Sequence, residues 1–185
     1  LSSQLLAQAN RILTLAPTAQ ASSIGNVMLP MMNPARNLFD KDHFSFSRVN
    51  WMTNIVDDMS YNFINFDRGQ YGVNVLFFNY GEQNQSDEFG IIQSQFTPLS
   101  AVYSLSYARK VNKYNLGLDV KLITHNLHTQ NAKGLVFGVG GYFPKVYKDL
   151  DLDVMVRNFG FAPKFGSWKS ELPTSVNVAG TYPYK

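Results

Sequence analysis

The chain has 185 residues, of which 45% are hydrophobic, 14% aromatic and 16% charged, with a formal net charge of +3 and no cysteine. No run approaches the ~18 consecutive apolar residues of a membrane helix, which excludes helical membrane proteins. The missing cysteines exclude disulfide frameworks and Cys-based zinc or thiol chemistry, and the small, dispersed positive charge makes no case for nucleic acid as a partner.

Residues 1–43 differ in kind from the rest. Leu5 to Ile12 suits a short helical segment, and Ala7-Gln8-Ala9 fits the small-residue rule for signal-peptide cleavage. Residues 1–9 therefore read either as the remnant of an export signal or as mature chain. From Thr14 to Asn37 the chain is rich in Ala, Ser, Pro, Met and Asn without a steady period, and an irregular segment packed inside a barrel mouth is expected. Within it, Asn33-Pro34-Ala35 reads as a turn, since Pro34 fixes φ and Asn33 can bond nearby backbone groups.

Residues 44–185 alternate apolar and polar side chains, and eight strands are predicted at 44–51, 59–67, 70–81, 101–109, 114–125, 134–143, 150–159 and 175–184. The clearest run places Tyr114, Leu116, Leu118, Val120 and Leu122 on one face and Asn115, Gly117, Asp119, Lys121 and Ile123 on the other. Leu150, Leu152, Val154 and Val156 repeat the oily face opposite Asp151, Asp153 and Arg157. The segments 71–80 and 135–143 are apolar on both faces and, taken alone, would suit core strands of a soluble protein. The links run in order about 7, 2, 19, 4, 8, 6 and 15 residues, long alternating with short. Short turns on one rim, long loops on the other and aromatic rings near strand ends (Trp51, Tyr80, Phe143, Tyr147, Phe159, Tyr184) describe an all-β, antiparallel up-and-down transmembrane barrel.

In that frame the two oily sets face lipid, while Asp119, Lys121, Asp151, Asp153 and Arg157 face the lumen. There they either anchor a plug through charge-assisted hydrogen bonds or set ion selectivity. Asn158-Phe159-Gly160 is expected to end a strand with left-handed or tight backbone. Enzymatic readings find little support. His125 and His128 lack a third metal ligand, and Asp57-Asp58, Asp67-Arg68 and Asp87-Glu88 read as solvated turn carboxylates. Gly138-x-Gly140-Gly141 lies inside a strand with no helix to complete a phosphate loop, so small residues there relieve crowding or admit a plug. No cofactor is expected, and the protein is read as a non-enzyme.

The segment LTLAPTAQASSIG (13–25), then NPA (33–35), SYARK (106–110), VRNFG (156–160) and ELP (171–173) occur in the order seen in PorV/PorQ proteins. These are bacterial outer-membrane barrels related to the FadL fatty-acid transporters, and FNYGEQNQSDEFGIIQSQF (78–96) is closer to the PorQ branch. The resemblance implies a plug-like role for residues 13–37, a barrel of about fourteen strands, and partners among outer-membrane lipid and secretion-system or surface proteins. It implies a scaffold or shuttle in type IX secretion and surface attachment; the alternatives are a FadL-like transporter of hydrophobic small molecules and a soluble β-sheet surface-assembly protein. Two departures stand out. Only Asn26 to Met32 separate Gly25 from the NPA motif, where the family carries a longer and often acidic stretch. The sequence also stops at Tyr184-Lys185 without a terminal aromatic, so further strands are expected, with a complete small barrel as the alternative.

Overall fold

The computed structural model describes residues 9–23, 29, 31–39, 42–51 and 58–183. The cleavage-site reading rests on positions outside these, save Ala9, and so do Gly25, Asp57 and Tyr184.

Eight strands form one antiparallel sheet: β1 (His43–Asn50), β2 (Met59–Arg68), β3 (Tyr71–Tyr80), β6 (Leu99–Val111), β7 (Tyr114–Leu127), β8 (Gln130–Tyr147), β9 (Leu150–Phe161) and β12 (Ser175–Thr181). Each pairs with the next in that order. Two hairpins interrupt the meander: β4 (Gln83–Ser86) with β5 (Ile92–Phe96), and β10 (Lys164–Phe165) with β11 (Trp168–Lys169). Among the described residues β1 pairs only with β2 and β12 only with β9, so the sheet is open at both edges. Among the described residues no helix is long and apolar enough to cross a membrane.

One expected link is corrected. The loop between β7 and β8, anticipated as long, is the turn His128–Thr129, because the two strands run on to Leu127 and from Gln130. Cross-strand bonding out to Leu127 and Gln130 extends both strands through residues whose alternation is too weak to read. Asn112–Lys113 and Lys148–Asp149 close the opposite rim equally tightly, with Asn112 and Lys148 at positive φ.

The N-terminal segment lies against the inner face of this sheet. A 3-10 turn, Ala9–Thr14, brings Ile12 and Leu13 onto Tyr61, Phe63, Leu76, Val102, Ile123 and Val136. Burying Ile12 and Leu13 contributes about 1.5–3 kcal/mol each. This packing explains why β3 and β8 read as apolar on both faces: their inner residues meet protein, not water. A short helix, α1 (Ala19–Ser23), follows; Thr18 caps it, its hydroxyl accepting from the Ala21 N–H at 3.1 Å, and Ala21 packs with Leu29 and Met32. A second 3-10 turn, Pro34–Leu38, crosses the polar end of the inner face.

Candidate functional site

The sheet exposes apolar side chains on its outer face and buries polar ones on part of its inner face. On β7, Leu116, Leu118 and Leu122 are exposed on the outer face, with Tyr114 and Val120 half-buried beside them; the inner residues Asn115, Asp119, Ile123 and His125 are buried. Neighbours make the contrast plain: Leu118 is 48% exposed and Asp119 6%. Leu150, Leu152, Val154 and Val156 share that outer face, half-buried, while Asp153 and Met155 point in and are buried. The outer apolar surface continues across the sheet through Phe44, Phe46, Ile64, Phe66, Val73, Leu105, Leu135, Val176 and Val178. Monomeric soluble proteins rarely expose a contiguous apolar patch of more than about 300–600 Å².

The inner polar half is built around the Asn33 turn. The Asn33 side chain caps the turn by accepting from the Ala35 N–H at 3.1 Å, and its amide donates to Asp153 Oδ1 at 3.1 Å. Arg36 grips the same carboxylate through both arms, Nε to Oδ1 at 2.8 Å and Nη2 to Oδ2 at 2.6 Å. The Asp153 hydrogen bond raises the Arg36 pKa above its ordinary value, against the opposing effect of burial. The guanidinium lies 5.4 Å from the Phe39 ring centroid and 5.3 Å from that of Tyr142, and these two rings meet edge to face. Next along the turn, the Asn37 amide donates to Ser106 Oγ at 2.9 Å, and the Ser106 hydroxyl donates to Gly72 O at 3.2 Å.

Glycines make this approach possible. A Cβ on Gly117 would collide with the Pro34–Ala35 backbone, and one on Gly140 with the Asn33 side chain. Gly140 of the β8 glycine cluster thus meets the Asn33-Pro34-Ala35 turn, while Gly138 gives room to Asp119. The remaining inward charges divide. Lys121 pairs with Asp119 two residues away on the same face. Arg157 Nη2 reaches Leu13 O at 3.4 Å on the N-terminal segment. Asp151 accepts from the Tyr142 hydroxyl at 2.5 Å and from the Lys145 N–H at 2.8 Å, within the sheet itself.

Asn158-Phe159-Gly160 does not end its strand. β9 continues to Phe161, and Arg157 and Asn158 bulge opposite Gly138, with φ +57° at Asn158 and +135° at Gly160. The Asn158 amide donates to Pro173 O at 3.3 Å and the Thr174 hydroxyl to Asn158 O at 2.8 Å, while the Asn10 amide donates to Glu171 O at 2.7 Å. The segment 171–173 therefore ties the bulge to the N-terminal turn.

Other sequence expectations change in the fold. Asp67, read as a solvated turn carboxylate, is buried on the inner face of β2, where it accepts from the Asn65 amide at 2.8 Å. His125 is buried, its Nδ1 2.7 Å from Ser100 Oγ, whereas His128 sits exposed on the turn against Phe96. Among the described residues no cluster of three His, Asp or Glu is placed to hold a metal ion. Sequence assigns no role to Arg36, Asn37 or Tyr142 and meets Ser106 only as the first residue of SYARK (106–110); the local signal for Arg36 is its adjacency to Asn33-Pro34-Ala35. The chain matches no family model and, at significant similarity, no curated protein.

Proposed function

We propose that this chain forms part of the wall and the plug of a bacterial outer-membrane β-barrel of the PorV/PorQ type, a non-enzymatic scaffold or shuttle in type IX protein secretion and surface attachment. One observation carries the reading: an exposed apolar outer face spans the eight strands while charged and amide side chains are buried inward against the N-terminal segment. Lipid is the solvent that favours such an inversion. A bilayer tolerates no open sheet edge, so the free edges of β1 and β12 would be paired with further strands to close a FadL-sized barrel. With N-terminal residues filling the inner face, cargo and secretion partners would meet the rims and loops instead of a channel.

A second reading, transport of hydrophobic small molecules, draws on the apolar half of the inner face around Phe63, Leu76 and Val102. Its requirement is a segment that vacates that surface, whereas Ile12 and Leu13 occupy it. A deletion strain separates the two: loss of surface-protein secretion with normal uptake of long-chain hydrophobic substrates is expected, and the reverse would favour transport. Leu118→Arg should weaken membrane assembly by about 2–4 kcal/mol, and Asp119→Asn, on the inner face, should not prevent insertion.

A further inference from the structure

The outer face carries a hollow of about 580 Å³ between β6 and β9, lined by Leu116, Leu118, Val139, Phe143 and Val154. Gly141 points outward between Leu116 on β7 and Val154 on β9, where the Phe143 ring lies across it and forms part of the hollow's wall. The volume lies in the range of small-ligand sites, about 300–1,000 Å³. A single charged residue lines it: Arg109, paired across the strands with Leu116 and without an ion-pair partner among the described residues.

Arg109 stands at the short-turn rim, and that rim is basic. Lys110 and Lys113 flank the β6–β7 turn, and Lys145 and Lys148 the β8–β9 turn. Of the acids there, Asp149 lies in the β8–β9 turn beside Lys148, and Asp151 is already engaged by the Tyr142 hydroxyl and the Lys145 N–H. The rings of Tyr114 and Tyr147 lie at that rim, as side chains at a membrane interface do, and Tyr107 sits deeper, opposite Leu118.

Resting on the membrane reading above, we propose that this hollow binds one anionic glycerophospholipid, an acyl chain lying along Leu116, Leu118 and Val154 and the phosphate held by Arg109. The oily trough fits a hydrocarbon chain, and a guanidinium at its rim-side end fits a phosphate. The lysines of the same rim favour a net negative headgroup over a zwitterionic one.

The test uses the full chain folded in detergent, lipid retention being read by native mass spectrometry with phosphatidylglycerol and phosphatidylcholine in competition. Preferential retention of one phosphatidylglycerol is expected, with glycerol phosphate failing to compete. Arg109→Gln should lower that preference about fivefold, the contribution of one surface cation, and Val154→Trp should reduce retention of both lipids by filling the trough. Equal retention of the two lipids, or a preference unchanged in Arg109→Gln, would overturn the site. Flotation of the wild-type chain with vesicles of either lipid is measured in parallel. Failure to float would sink the membrane reading itself, whereas flotation without lipid preference would sink this inference alone.

Discussion

Asp153 is the residue on which the N-terminal segment turns. It is fully buried and holds Arg36, whose side chain is 18% exposed, from a distance of 117 positions along the chain. Breaking a buried pair from one side leaves an uncompensated charge, at a cost of about 3–5 kcal/mol. Arg36→Met should therefore destabilise the folded protein by an amount in that range in urea titrations, and Arg36→Met/Asp153→Leu should recover part of the loss. Additive single effects would mean the two groups do not act as a pair. Gly117→Ala should act differently, driving the Pro34–Ala35 backbone off the sheet, and is expected to expose residues 9–39 to protease while the strands stay protected. Sequence showed Asn33-Pro34 as a turn and Asp153 as inward. It did not show their union, because a contact across 120 positions depends on the order in which strands pair.

At the scale of elements, strand parity was readable wherever one face met apolar surroundings and the other met polar partners, as on β7 and β9. It failed where both faces are apolar, since the packing of Ile12 and Leu13 under β3 and β8 has no local signature. The β4–β5 hairpin shows local chemistry at work outside the sheet. Asp87 accepts from the N–H groups of Ile91 and Phe89 at 2.9 and 3.0 Å and from the Gln93 amide at 2.9 Å. The Ile91 N–H chiefly, then the Gln93 and Phe89 donors, hold its carboxyl below the ordinary value. A depressed folded pKa gives a stabilisation that is complete above the ordinary carboxylate range and lost as pH falls through the folded value. Amide exchange at Phe89 and Ile91 should accordingly quicken on acidification beyond the intrinsic pH dependence, and Asp87→Ala should abolish the difference. An acid response that survives in Asp87→Ala would assign the turn's order to another group.

For the molecule as a whole, the antiparallel all-β class and the sequential strand order follow from alternation and turn spacing, and the open edges at β1 and β12 do not. Edge closure is a property of the assembled sheet, and nothing in the alternation of β1 or β12 encodes a partner. What the whole sheet adds is an exposed apolar outer face, with Leu118 outward and Asp119 inward on the strand that best defines it. Because the chain has no cysteine, a single nitroxide can be placed at Leu118→Cys and its collision rates with oxygen and with a water-soluble nickel chelate compared in lipid vesicles. Frequent collision with oxygen and little with the chelate is the expected result, the signature of a side chain in hydrocarbon. Free access for the chelate at this position would contradict a lipid-facing outer surface.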